Sequence, residues 1–365
     1  MVGRGMKRFL DAALRLLPGL AFVFALAIGA KLLSDWLQSV IAVNWVRSLA
    51  SSVIIAIVGG MIIGNLVRLP KVLVAGIGAY EFFLKVGIVL MGARFLVTDV
   101  ARLGGIGLAM VIVEILFSIA FVGLFARWFR LPGKLGSLIA VGVGICGVSA
   151  IMGAAGSIEA KKEETGYAIA VILVFGAAAL IVYPLIGRLL GMSDRLFGIW
   201  AGLAVDNTAE AVATGAIYSK AALAYTTLTK LCRNALMGFV ILGFAVYYAR
   251  RGMAQEVTHK GRFLWQKFPK FVLGFLGLSV LFSVLLALFP GKDAHAYLVG
   301  RIGAMKNLSE WAFQLTFVGV GLRTSFRDMV RTGVKPLVVG VAAETAVAGF
   351  TLLMVFAAAG FLPSL

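Results

Sequence analysis

Long apolar runs separated by short polar turns recur along the whole chain. A membrane-spanning helix needs about 20 mostly apolar residues. Eleven runs approach or exceed that length, at roughly 17 to 37, 49 to 67, 72 to 96, 104 to 126, 135 to 157, 165 to 190, 196 to 218, 221 to 249, 268 to 290, 298 to 322 and 335 to 361. The pattern predicts an all-α polytopic membrane protein of about 11 transmembrane helices. Polar residues interrupt several of the runs, and the candidate chemistry lies at those interruptions.

Composition supports the membrane class. Hydrophobic residues make up 61% of the 365, charged residues only 14%, and mean hydropathy is +1.01, far too apolar for a soluble globular protein. The longest connection, Arg250 to Lys270, is too short for a soluble domain. The chain is therefore read as a single transmembrane domain, 1–365. Its basic start and first apolar run resemble a signal peptide, but Ile28 stands two residues before Ala30 where a small residue is needed for cleavage. The run is read as an uncleaved first helix.

The net charge of +18 first sets topology. Of the 34 Lys and Arg, alternate connections beginning with the N-terminus hold 21, the other connections hold 10, and Lys85, Lys230 and Arg233 fall inside spans. The positive-inside rule places the N-terminus in the cytoplasm and, with an odd number of spans, the C-terminus outside. Nucleic acid is not an expected partner. Cys146 and Cys232 both lie in spans, which argues against a disulfide framework.

Two stretches match at a constant offset. Gly92, Arg94, Asp99, Arg102 and Gly104 correspond to Gly321, Arg323, Asp328, Arg331 and Gly333, and each stretch joins two predicted helices. The following helices carry Glu114 and Glu344, one position out of register. The copies are seven helices apart and so cross in opposite senses, as in the inverted-topology repeats of secondary transporters. The candidate repeat halves are about 72–128 and 298–361, beside a motif-bearing core at 135–249.

Ionisable residues at bilayer depth cost about 2.5–3.5 kcal/mol each, so each one needs a reason. Glu81 and Lys85 have the spacing and order of an intrahelical pair. Glu114 and Glu344 lie too deep in their helices to reach the interface. Asp206 and Glu210 are four apart, with Asn207 and Thr208 between them. Asp, Asn and Thr cap helix N-termini by accepting from free backbone N–H groups, so the run predicts a helix break near 205–208. Gly142, Gly144 and Gly147, followed by Ser149, mark a second candidate break. Their G-x-G-x-x-G spacing is not a dinucleotide fingerprint, because no strand precedes it. Lys230 and Arg233 supply positive charge about 14 Å or more into their helix at 1.5 Å per residue. With free N–H groups at a break, these cations make a site for an anion.

Four stretches together resemble the YeiH-like (UPF0324) family of bacterial inner-membrane proteins, whose members carry the name sulfate exporter. They are Gly144–Ile151, the charged segment after it, Phe197–Val212 and Thr227–Gly238. Cys146, Gly147, Ser149, Ala150 and Ile151 match the family's C-G-x-S-A-I, and Lys230, Leu231 and Arg233 match its K-L-x-R. Where the family pattern reads His-Asp-Thr this chain has Asp206, Asn207 and Thr208, and a common Gln is Glu210. That departure makes the site more acidic and removes a histidine. His259 and His295 lie in predicted connections. The resemblance implies a bundle with an inverted repeat and discontinuous helices, of the kind seen in bile-acid, glutamate and sodium/proton carriers.

The expected activity is secondary transport of a small anion, sulfate-like by resemblance, across the inner (cytoplasmic) membrane. Lys230, Arg233, Gly144, Cys146, Gly147, Ser149, Asn207 and Thr208 are the candidate substrate-binding residues. Asp206 and Glu210 are the candidate ion-coupling residues, and Glu81, Lys85, Glu114 and Glu344 are secondary candidates. The coupling ion is a proton or sodium; no other cofactor and no metal is expected. Expected partners are the anion, the bilayer and a second copy in a homodimer. The rival readings are a cation antiporter built on Asp206 and Glu210, and a channel-like or structural membrane protein. An enzyme is not expected: no His-Glu-x-x-His stretch, Ser/His pair within spans or Cys/His cluster appears.

Overall fold

A computed structural model of the chain describes residues 2–41, 50–324 and 334–360, with the side chains of 2–14, 99 and 334–336 left aside. The described residues form α-helices, one short 3-10 turn and no strand. Seven helices are long and apolar enough to cross a membrane: Arg15–Val40, Lys71–Arg94, Val100–Trp128, Lys162–Leu189, Lys220–Ala249, Lys270–Leu288 and Leu337–Ala357. The other four expected spans fall short of that test for identifiable reasons. The segment near 49–67 gives a helix of only 15 residues. Two more are interrupted midway. The run at 298–322 sits in a 32-residue helix that carries Lys306 and Glu310.

The chain divides into two compact units. The first comprises residues up to Phe95 and from Gly274 to Phe326. It contains α1 (Val2–Val40), α2 (Ser52–Leu66), α3 (Lys71–Ile77) and α4 (Tyr80–Met91). Most of α14 (Lys270–Leu288) and all of α15 (Lys292–Arg323) complete it. Here helices approach through glycine, since a missing Cβ lets backbones come close. A Cβ on Gly321 of α15 would strike the Ile57 carbonyl of α2, and one on Gly92 would strike the Phe275 carbonyl of α14. These two glycines open the two copies of the repeated stretch. Asp328, Arg331 and Gly333 of the second copy lie outside the described residues.

The second unit, Leu96–Leu273 and Arg327–Leu365, contains α5 (Val97–Trp128), α6 (Gly133–Gly144), α7 (Val148–Ser157) and α8 (Lys162–Leu189). Then come α9 (Asp194–Ala204), α10 (Thr208–Tyr218), α11 (Lys220–Ala235), α12 (Met237–Ala249), α13 (Lys260–Lys267) and α16 (Val334–Ala357). Its apolar core gathers Leu138, Ile139, Val143, Ile151, Ile172 and Ile241 around α6 and α7. Two runs that the sequence pattern draws as single spans are each two half-helices: α6 and α7 part at Ile145–Gly147, and α9 and α10 part at Val205–Asn207.

Candidate functional site

Local chemistry explains both interruptions. Gly147 takes φ +64°, a conformation that costs a glycine little and an L side chain much. Its N–H turns back to the Gly142 carbonyl at 3.1 Å, closing the end of α6. At the other break, extended Val205 and Asn207 end α9, and the Asn207 Oδ1 accepts from the Ala209 N–H at 3.0 Å to start α10. The interruptions meet. A Cβ on Gly147 would stand 3.3 Å from the Cα and N of Asn207 and 2.9 Å from Ile172, so glycine at 147 is what lets the two broken helices touch.

Helix α11 runs alongside. A Cβ on Gly198 or Gly202 of α9 would press on Ala222, Tyr225, Thr226 or Thr229 of α11, and this close approach brings Lys230 and Arg233 to the breaks. The Lys230 Nζ donates to the carbonyls of Ile145 (3.1 Å) and Val205 (2.6 Å), one from each interruption. Arg233 donates from Nε to Gly144 (3.0 Å) and from Nη1 to Leu203 (2.7 Å) and Val205 (3.2 Å). Its Nη2 donates to the Val143 carbonyl and pairs with Glu114 Oε1 (3.2 Å) and Asp206 Oδ1 (3.4 Å). Both cations are buried, Lys230 at 1% and Arg233 at 0% exposure. They therefore occupy the C-terminal, carbonyl-rich ends of α6 and α9, where backbone acceptors are left open and the helix dipole favours positive charge.

Four acids surround them. Glu114, from α5, accepts from the Ser118 hydroxyl one turn on at 2.7 Å as well as from Arg233. Asp206 stands in the second break. Glu210, in the first turn of α10, fits its carboxyl where Gly176 of α8 has no side chain. Glu344, from α16, is buried at 6% exposure. Trp200 of α9 stacks on Tyr183 at 4.8 Å and donates to the Ala348 carbonyl of α16, which holds Glu344 beside the break. Each acid keeps one buried oxygen without a hydrogen-bond partner: Glu114 Oε2, Asp206 Oδ2, Glu210 Oε2 and Glu344 Oε1. Burying a carboxylate oxygen unpaired is costly, so these oxygens are where a small cation or proton has most to gain.

The sequence-derived residues thus fall into three groups. Lys230, Arg233, Gly144, Gly147, Asp206, Asn207, Glu210, Glu114 and Glu344 converge on the breaks. Buried Cys146 joins them, its Sγ 3.4 Å from Met237 Sδ. Ser149 and Thr208 lie in the first turns of α7 and α10; Ser149 is exposed and Thr208 half-buried. Glu81 and Lys85 belong to the first unit, on α4, and both are exposed. The chain turns at Gly78–Ala79, which puts Glu81 in the first turn of α4, a favourable place for an acid at a helix end. Sequence reasoning passed over Ser118, Gly176 and Asn234. The Asn234 amide donates to the Thr208 hydroxyl at 3.2 Å; its position next to Arg233, polar within a span, was the available signal. Among the described residues no group of three His, Cys, Asp or Glu side chains is arranged to hold a metal ion.

Residues 18–340 match the family described as Conserved hypothetical protein 698. The chain belongs to the UPF0324 membrane protein family. Three relatives named UPF0324 membrane protein occur in Nitratidesulfovibrio vulgaris. One is 35% identical over 82% of this chain and 53% of its own length. A second is 33% identical over 96% of this chain and 61% of its own. The third is 32% identical over 92% of this chain and 91% of its own. The chain thus spans little more than half the length of the first two. No solved structure matches it. A membrane-embedded helical protein is the common ground of family and fold.

Proposed function

We propose that this UPF0324 chain is a secondary active transporter that carries a small anion, sulfate-like by family resemblance, across the cytoplasmic membrane in exchange or symport with protons or sodium. The observation that carries this reading is the meeting of two interrupted helices at Gly147 and Asn207. Non-helical backbone is tolerated at membrane depth where it lines a substrate or ion path, and discontinuous helices of this sort build the midplane sites of many carriers. The polarity of the crossing supports a division of labour. Lys230 and Arg233 fill the carbonyl ends of α6 and α9. The N-terminal ends of α7 and α10, with Ser149, Asn207 and Thr208, offer N–H groups and hydroxyls to an anion, and the two fixed cations supply the attracting potential. Eleven spans, a cytoplasmic N-terminus, an outer C-terminus, a homodimer and the absence of enzymatic activity complete the proposal.

Thermal unfolding of the purified protein with sulfate, sulfite, thiosulfate, small carboxylates and chloride, each with and without sodium, tests it. Anion-specific stabilisation that disappears in Ser149→Ala, Thr208→Val protein supports an anion carrier. No response to any anion, with a response to sodium or pH alone, overturns it in favour of cation antiport. One observation favours that second reading: four buried acids face two buried cations, an acidic excess suited to cations.

A further inference from the structure

In carriers with discontinuous helices, a coupling sodium ion is held by unwound carbonyls and half-helix C-terminal ends. In this chain side chains hold those oxygens. The Lys230 Nζ donates to the Ile145 carbonyl at 3.1 Å and to the Val205 carbonyl at 2.6 Å. Ile145 closes α6 and Val205 closes α9, so one nitrogen bridges the C-terminal ends of two half-helices. Arg233 takes the carbonyls beside them: Gly144 at 3.0 Å, Leu203 at 2.7 Å, Val143, and a share of Val205 at 3.2 Å.

The two cations are not equivalent. The guanidinium is a planar fork, and its N–H groups are spread over four carbonyls, Glu114 and Asp206. The ammonium is a compact point charge shared by two carbonyls of different half-helices, which is the place and the chemistry of a monovalent metal ion. It is only 1% exposed, and a group of this kind is buried only where acceptors meet it. Carried on α11, it binds those carbonyls intramolecularly, and a free ion has to compete with it from solution. We infer that Lys230 is a specificity-determining residue: its side-chain nitrogen is a built-in substitute for a coupling sodium ion and makes this chain sodium-independent.

That transport needs no sodium rests on the transporter reading above; that Lys230 fills the cation position stands without it. The inference has a converse. With the Lys230 side chain gone, the Ile145 carbonyl loses its donor and the Val205 carbonyl keeps only Arg233. The buried Asp206 Oδ2, on the next residue, is already without a hydrogen-bond partner. Asp206 Oδ1 and the Val205 carbonyl both contact the Arg233 guanidinium, so carbonyl and carboxylate are neighbours. Four buried acids would then face one buried cation. Oxygens are released at half-helix C-terminal ends and a positive charge is missing, and both changes favour a free cation. Removing Lys230 should therefore turn a protein indifferent to sodium into one that binds it.

Thermal unfolding of the purified full-length protein in sodium chloride and in choline chloride, at equal ionic strength and with no other anion added, tests this. Wild type is expected to melt at the same temperature in the two salts. Lys230→Ala is expected to melt earlier than wild type in choline and to regain about 3 °C in sodium well above its dissociation constant. A sodium-specific rise in wild type overturns the inference, as does Lys230→Ala protein that folds and melts alike in both salts. Should Lys230→Ala fold in neither salt, Lys230→Gln is read in its place, since its amide keeps a donor for one carbonyl and adds an oxygen for the ion. Equal melting of that variant in both salts then overturns the inference. A failed anion reading shows as no stabilisation by any anion while the sodium contrast between wild type and variant persists. A failed inference shows as that contrast missing or reversed, whatever the anions do.

Discussion

The two units use opposite means to hold helices together. In the first, the buried polar residues are uncharged, and they bond backbone carbonyls: Ser34 to Ala50, Ser279 to Phe95, Ser309 to Gly87 and Gln314 to Ser52. Glycines also bring α15 close against α2. In the second unit lie all six buried charged side chains among the described residues, Glu114, Asp206, Glu210, Lys230, Arg233 and Glu344, together with the interruptions at Ile145–Gly147 and Val205–Asn207. Small residues and hydroxyls suffice to pack membrane helices, as the first unit demonstrates. Buried charges are therefore not a requirement of helix packing in this protein, and their concentration in the second unit marks where function is to be sought.

The strongest way to break this comparison is to remove its central cation. Arg233→Ala would strip Glu114 and Asp206 of their partner and free the carbonyls of Val143, Gly144 and Leu203 in a fully buried setting. Removing one partner of a buried ion pair costs about 3–5 kcal/mol, and loss of most folded protein is the expected outcome in a thermal unfolding assay. Ser279→Ala in the first unit removes one hydroxyl bond and should cost about 1 kcal/mol. Equal losses for the two would show that the charges in the second unit carry no special structural weight.

Much of that contrast is legible in the sequence. Gly142, Gly144 and Gly147 and the Asp206–Asn207–Thr208 run mark the interruptions by composition, because only certain residues satisfy a helix end. Glu114 and Glu344 are picked out by the offset of the repeated stretch, and they reach the same cluster. The polarity of the crossing is not legible. A sequence tells which side chains are charged, not which end of a half-helix they meet, and Lys230 and Arg233 take the C-terminal ends of α6 and α9 while the N-terminal ends of α7 and α10 start beyond them. Ser118 and Asn234 pass unnoticed for a related reason: a small polar residue in an apolar run is usually bonded within its own helix. The spacing of Glu81 and Lys85 states that they share a helical face, but not which way that face points. Length also misleads, since an interrupted span has the apolar content of a helix without the continuity of one.

The glycines sharpen the comparison at the next scale. Gly147→Ala forces φ +64° on a side chain and crowds Ile172 and Asn207, while Gly321→Ala wedges α2 from α15 at the Ile57 carbonyl. Overpacking of this sort costs about 1–3 kcal/mol, so both variants should melt earlier than wild type. They should part in a second measurement: Gly147→Ala also loses anion-dependent stabilisation, and Gly321→Ala retains it. Retention in both would separate the helix crossing from the substrate site.

Smaller again is the cap at the second interruption. Asn207→Ala removes the acceptor for the Ala209 N–H and should cost about 1 kcal/mol. Asn207→Asp keeps the cap, since Asp is as good a capping residue as Asn, but adds a fifth acid to a cluster with two more acids than cations. It should therefore be less stable than wild type at neutral pH. The gap should narrow as pH falls, because protonating the new carboxyl removes the added repulsion. A variant as stable as wild type across the pH range would mean that the acid excess is screened by groups not counted in the cluster.

The smallest effect is expected at Glu81. It is exposed on α4, and its position in the first turn of that helix is worth only a few tenths of a kcal/mol through the helix dipole. Glu81→Gln should leave the melting temperature, the anion response and the pH dependence where they were. Charge in the first unit would then be incidental to its packing, whereas charge in the second is the means by which two broken helices are held together. A large loss at Glu81 would reverse that inference: the first unit would also contain a charge on which the protein depends, and exposure within its own unit would not be a measure of how free that side chain is.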